Sequence, residues 1–252
     1  MKRQSWSVGL LIVIGLCGAA PAQAQSNGAS LGCNGPSAEP LVSGTLHGLV
    51  RIPDKGSLFT LGAGAAAALA AHSADTSVSD ALRDDPDSRP LFKPGATIGG
   101  MPFEVGAAAA LMAVGHSTKH PCLFSLGSEL LQAQLVGAAW TIGIKQVVQR
   151  DRPEGTGYSF PSGHTVTAFA SATVLQRRFG WKVGLPAYAV ASYVAASRVD
   201  MQRHYLSDVL FGAALGMVAG RNVTVAGHPL EVGPLVTSGG AGIGFSLLPS
   251  GR

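Results

Sequence analysis

Three windows of this chain, residues 130–144, 183–197 and 209–220, hold no charged side chain, and each is fenced by charges: Glu129 and Lys145, Lys182 and Arg198, Asp208 and Arg221. Runs of that length, rich in Ala, Leu, Val and Gly, suit helices packed in a protein core. They are short for a membrane span, which needs about 20 strongly apolar residues. Helices are predicted over 58–71, 105–115, 126–149, 163–179, 183–197 and 206–219. Pro153 stops the third, Gly180 closes the fourth, Pro186 falls in the first turn of the fifth, and Gly220 closes the last. The fold class that follows is all-α: a compact helical bundle of about six core helices. Residues 223–248 break the pattern. They are rich in Gly, Pro and β-branched residues with a Ser238-Gly239-Gly240 turn signal, and predict a short β-rich C-terminal tail.

The ends divide the 252-residue chain further. Met1-Lys2-Arg3 is positive, residues 8–16 are apolar, and Ala22-Gln23-Ala24 has the small-x-small form of a cleavage site. Residues 1–24 therefore read as a secretory signal, and the chain as exported, to a periplasm-like compartment. Residues 25–50 read as a loosely structured lead-in, 51–221 as the helical domain, and 222–252 as the tail. Residues 75–94 are polar and interrupted by prolines, and read as a surface loop with at most one short helix. The signal takes with it two of the 18 basic side chains against 14 acidic ones, so the formal charge of +4 falls to about +2. That balance is too mild for a nucleic-acid partner. Removal of Cys17 leaves Cys33 and Cys122, an even pair in an oxidising compartment, and a disulfide between them is expected. Association with a membrane surface stays open, and oligomeric state is not legible.

Chemistry-bearing residues concentrate in three short segments. In the first, Lys145 and Arg152 lie about two helical turns apart, which would set both cations on one helix face beside Pro153. In the second, Pro161-Ser162-Gly163-His164 opens a helix. Its free N–H groups and the Ser162 hydroxyl would form an anion site, with His164 in the first turn. In the third, Ser197-Arg198 ends one helix, and His204 and Asp208 lie one turn apart at the start of the next. Asp208 could fix the tautomer of His204 and leave its other nitrogen free to attack. Arg198 could reach the same pocket with a bidentate fork. Arg150, Asp151 and Arg203, between these positions, receive no role, and His72, His116, His120 and His228 read as surface or loop residues. Trp140 reads as core. Three fixed cations, two imidazoles and one carboxylate suit phosphoryl transfer to a histidine. That chemistry demands positioning and charge neutralisation above all.

The same residues resemble the signature of the type-2 phosphatidic acid phosphatase / vanadium haloperoxidase superfamily. The match covers Lys145, Arg152, Pro153, Pro161, Ser162, Gly163, His164, Ser197, Arg198, His204 and Asp208. The resemblance implies a helical phosphatase domain that works without metal or other cofactor. Lys145, Arg152, Arg198, Ser162 and Gly163 would bind the phosphoryl oxygens. His204 would become a phosphohistidine, Asp208 would orient it, and His164 would protonate the leaving group. The substrate implied is a lipid phosphate, an isoprenoid pyrophosphate or a phosphorylated small molecule. A soluble broad-specificity acid phosphatase, a vanadate-dependent haloperoxidase and a non-catalytic phosphate- or lipid-binding envelope protein are the competing readings.

Overall fold

The computed structural model describes residues 40–51, 54–83, 88–223, 225, 230–237 and 240–247. The expected signal, Cys17, Cys33 and His228 lie outside them. The described residues form nine helices: α1 (Leu41–Val50), α2 (Lys55–His72), α3 (Asp75–Arg83), α4 (Arg89–Ile98), α5 (Met101–Ser117), α6 (Pro121–Val148), α7 (Gly163–Phe179), α8 (Trp181–Asp200) and α9 (Leu206–Asn222). The all-α expectation holds for this body. In the tail, β1 (Leu230–Thr237) and β2 (Gly240–Leu247) pair antiparallel, with Leu230 opposite Leu247 and Thr237 opposite Gly240.

Helix α7 is the centre, packed against α6, α8 and α9. One cluster joins Val136 of α6, Ala170 and Val174 of α7 and Ala219 of α9, with Trp140 half-buried against it. A second joins Phe169 and Ala172 to Ala191 and Val194 of α8. Small residues let the axes approach. A Cβ on Gly216 of α9 would stand 2.3 Å from the carbonyl oxygen of Val166 on α7. Closeness of that kind needs glycine, and it brings the start of α7 against the start of α9, where two of the three motifs lie.

Three sequence expectations change. Residues 75–94 are not a loop, because α3 and α4 occupy most of them. Asp75 opens α3 with its carboxylate held by Ser207, and Pro90 sits in the first turn of α4, where a missing N–H costs nothing. Composition alone reads such a helix as loop, because its prolines and polar residues outweigh the signal of a short helix. Within the expected lead-in, Leu41–Val50 is helical because α1 docks on α6. Gly48 lies against Val136, and Asn222 Nδ2 donates to the Gly48 carbonyl at 3.1 Å. Helix α8 starts two residues earlier than expected, which puts Pro186 in its interior.

No single described helix is long and apolar enough to cross a membrane. Two bent pairs, α2 with α3 (65°) and α4 with α5 (45°), pass that test of length and composition together.

Candidate active site

The first segment is built by a helix end and a loop. Helix α6 stops at Val148, and Gln149 turns the chain with a left-handed φ of 50°. Arg152 is therefore off the helix, which corrects the expected shared helical face. The loop returns through a bridge between Asp151 and Tyr158. Lys145 Nζ donates to the carbonyls of Tyr158 (2.8 Å) and Ser159 (3.1 Å), and Arg152 Nε donates to the Tyr158 carbonyl at 3.4 Å. The two cations meet across a loop carbonyl instead.

The second segment is tied to the first and third by backbone bonds. Ser159 N donates to Arg150 O (2.6 Å), and Ser162 N to Asp208 O (3.2 Å). Ser162 is fully buried and precedes α7, but its hydroxyl makes no capping bond. It accepts from Thr165 Oγ1 at 3.0 Å. A Cβ on Gly163 would meet only Thr141 Cγ2, at an ordinary 3.5 Å. Packing does not require glycine there, so any demand for it comes from what the site holds.

The third segment wraps the end of α8. Arg198 O accepts from the backbone N–H groups of Arg203 (3.1 Å) and His204 (3.2 Å). His204 is 3 % exposed and Asp208 fully buried. Their facing atoms, Nδ1 and Oδ2, are 3.7 Å apart, longer than the hydrogen bond the sequence suggests, and Nδ1 has no partner among the described residues. Asp208 Oδ2 accepts instead from Tyr205 N at 2.8 Å.

Electrostatics show that the segments converge. Burial pulls His164 down to about 4, helped in order by the charges of Arg198, His204, Arg152 and Lys145. One imidazole thus feels every expected cation. Burial also brings His204 down to about 4, with the nearby Asp208 carboxylate opposing. Lys145 falls to about 8 through burial and then through Arg152, with Asp208 opposing. Arg198 falls to about 10 through burial and its neighbours Arg203 and Arg152. Arg198 makes no ion pair among the described residues, and its buried Nε has no hydrogen-bond partner. Among the described residues, the Lys145 ammonium donates only to carbonyls. Arg152 has a loose contact with Glu154 (3.6 Å), which also pairs with Arg203. Arg198 is buried and Lys145 and Arg152 are half-buried, a setting that favours a bound anion. No group of three or more metal-ligating side chains occurs among the described residues.

Sequence reading missed Arg150 and Asp75. Arg150 Nη1 donates to Asp208 Oδ1 (2.9 Å) and Ser207 Oγ (2.7 Å), and its Nη2 to Asp75 Oδ2 (2.8 Å). The only local hint is a third cation beside Arg152. Its partners come from distant parts of the chain. The remaining histidines fit the surface reading: His72 is 65 % exposed by side chain, and His116 and His120 are exposed. Cys122 is disulfide-bonded, and its partner lies outside the described residues.

Residues 138–228, which contain all three motif segments, match the model of the PAP2 superfamily. The chain carries a PAP2 superfamily domain. It is 42% identical over 99 residues to a lipid A 1-phosphatase of Porphyromonas gingivalis, covering 38% of this chain and 22% of that protein. It is 34% identical over 102 residues to a decaprenylphosphoryl-5-phosphoribose phosphatase of Mycobacterium tuberculosis, covering 36% and 56%. The chain thus spans well under two thirds of these curated relatives. Its fold is similar to that of a transmembrane PAP2 type phosphatidylglycerolphosphate phosphatase from Bacillus subtilis, with a TM-score of 0.52 at 21% identity over 71% of this chain and 90% of that one.

Proposed function

We propose that this PAP2 domain hydrolyses a phosphate monoester through a phosphohistidine on His204. The observation that carries the reading is the set of three cations, Arg198 buried and Lys145 and Arg152 half-buried, with Lys145 and Arg198 lacking a carboxylate partner among the described residues, gathered about two imidazoles. A bound phosphoryl group would supply the missing negative charge. His204 is neutral at pH 7, and with Nδ1 toward Asp208 its Nε2 lone pair attacks phosphorus. The bond from phosphorus to the ester oxygen breaks, and the departing alkoxide takes a proton from His164. Before substrate binds, burial and the charges of Arg198, Arg152 and Lys145 hold His164 neutral. The incoming dianion offsets those charges, so protonation of His164 accompanies substrate binding. His164 then takes a proton from water, the resulting hydroxide attacks phosphorus, and the His204–phosphorus bond breaks to release phosphate. Ser162 and the Gly163 N–H complete the oxyanion cradle.

The substrate class we favour is a lipid phosphate. Two relatives are named for lipid or isoprenoid phosphates. An apolar cavity of about 270 Å³ lies between α5, α6, α7 and α8. Ala168, Ser171 and Ala172 line it and share the α7 face of His164, so it could take hydrocarbon next to the phosphate site. Large exposed side chains, among them Phe59, Leu69 and Leu185, suit association with a membrane surface. Export by way of residues 1–24 would put the domain on the outer side of that membrane.

The test is phosphate release from phosphatidate, an isoprenoid pyrophosphate and p-nitrophenyl phosphate, comparing the intact protein with His204→Ala. Loss of all turnover in the variant supports the covalent reading, and unimpaired turnover removes it. A preference for the lipid substrates supports the substrate class, and faster release from p-nitrophenyl phosphate refutes it.

A further inference from the structure

We propose that Arg150, anchored by Asp75, is a positioning residue that holds the Asp208 carboxylate in place behind His204. The proposal rests on the phosphohistidine reading above and extends it to two residues outside the family signature.

The geometry separates Arg150 from the other cations of the site. Lys145 and Arg198 have no carboxylate partner among the described residues, which leaves them for an oxyanion. Arg150 is saturated by protein. Nη1 is shared between Ser207 Oγ and Asp208 Oδ1, Nη2 is bonded to Asp75 Oδ2, and the guanidinium carbon stands 4.1 Å above the centre of the Tyr205 ring. A guanidinium so committed on both terminal nitrogens is poorly placed to serve as a phosphate ligand. Its neighbours come from the start of α3, the residue before α9 and the first turn of α9. It therefore clamps the loop carrying His204 to the helix carrying Asp208.

Asp208 needs such a clamp. It is fully buried, and its link to His204 spans 3.7 Å, too long for a hydrogen bond to hold it in place. Arg150 occupies Oδ1, and Tyr205 N occupies Oδ2 from one side. The carboxylate can neither rotate nor withdraw, and Oδ2 remains toward Nδ1 of His204. When His204 bonds to phosphorus, its ring becomes cationic and Nδ1–H needs that acceptor. Orientation errors of under an ångström are costly at such a point.

Asp75 keeps Arg150 from spending its whole charge on Asp208. Its side chain is 2 % exposed. Oδ1 accepts from Ser207 N at 2.9 Å, and Oδ2 accepts from Ser207 Oγ and lies 3.2 Å from His72 Nδ1. Burial pushes the Asp75 carboxyl up, but the bonds from Ser207 and Arg150 outweigh it and hold it below the usual range. With Asp75 ionised, Arg150 is shared between two carboxylates, and Asp208 retains negative charge for His204.

The experiment measures kcat, KM and the inhibition constant of inorganic phosphate for Arg150→Gln, Arg150→Lys, Asp75→Asn and the double variant Arg150→Gln/Asp75→Asn. His204→Ala is carried as a control, and thermal melts are recorded for all. For Arg150→Gln the expected result is a fall in kcat of about 10–100-fold, with KM and phosphate inhibition changed less than about threefold. Arg150→Lys should recover part of kcat. Asp75→Asn should lower kcat in the same direction, and the double variant should lose less than the product of the single losses, because both act through one carboxylate. A lowered melting temperature with kcat intact in the folded protein would reduce Arg150 to a structural role and overturn the proposal. So would a weakened phosphate inhibition with kcat intact, which would make Arg150 a ligand. If Arg150→Gln does not fold, Asp75→Asn decides by the same two readings. Full activity in His204→Ala would instead refute the parent reading and the inference with it. Loss in His204→Ala beside full activity in Arg150→Gln would sink the inference alone.

Discussion

Lys145 gives the account a pH dependence that can be worked out in advance. Burial and the Arg152 charge bring its ammonium from the usual 10.5 to about 8. The depressed pKa means that the charged, phosphate-binding form dominates below about pH 8 and is lost above it. Between pH 7 and pH 9 the charged fraction falls from about nine-tenths to about one-tenth, so kcat/KM should fall roughly tenfold. The ratio kcat/KM is the right quantity because it reports groups of the free enzyme. Saturating phosphate stabilises the ammonium, so kcat alone should decline at higher pH. Arginine at this position stays charged throughout, so Lys145→Arg, scaled to its own maximum, should lose the decline. The second ionisation of the substrate, near pH 6, is common to both proteins and cancels in the comparison. The assay is initial-rate kinetics with p-nitrophenyl phosphate from pH 5 to pH 10. A wild-type profile flat to pH 10, or an undiminished fall in Lys145→Arg, would show that the lysine does not bind the transferring group.

Other consequences are simpler. Gly163→Ala should leave the melting temperature within about a degree of wild type while slowing turnover about tenfold or more, since the added Cβ meets protein only at 3.5 Å. Equal losses in both would show that packing requires the glycine. Gly216→Val should do the opposite, lowering stability by about 1–3 kcal/mol or preventing folding, because its Cβ would fall 2.3 Å from the Val166 carbonyl oxygen. A denaturant melt reads the difference. Reduction and alkylation should expose a thiol at Cys122 that is blocked beforehand, read by peptide mass.

The sequence made the helical body legible because charge is scarce and falls at helix ends. Its errors have physical causes. Pro90 and Pro94 look like loop residues, yet Pro90 sits in the first turn of α4 and Pro94 inside it. Lys145 and Arg152 look like partners on one helix face, whereas the helix ends at Val148 and a loop carbonyl brings them together. The three motif segments were visible because each is local. What holds them together was not, because the Arg150–Asp75 bond joins residues 75 apart and Arg150–Asp208 residues 58 apart. Hydrogen bonds of that range leave no periodicity to read, and an arginine two places before a motif arginine is indistinguishable from a solvated charge until its partners are placed.

The central claim is that His204 carries the phosphoryl group during turnover. The direct measurement is rapid mixing with p-nitrophenyl phosphate, quenching in alkali, where phosphohistidine survives, and peptide mass analysis. The account predicts one added phosphoryl group on the peptide containing His204, absent in His204→Ala and accumulating in His164→Ala, where water attack is slowed. A phosphoryl group on another residue, or none in His164→Ala while product continues to form, would contradict it.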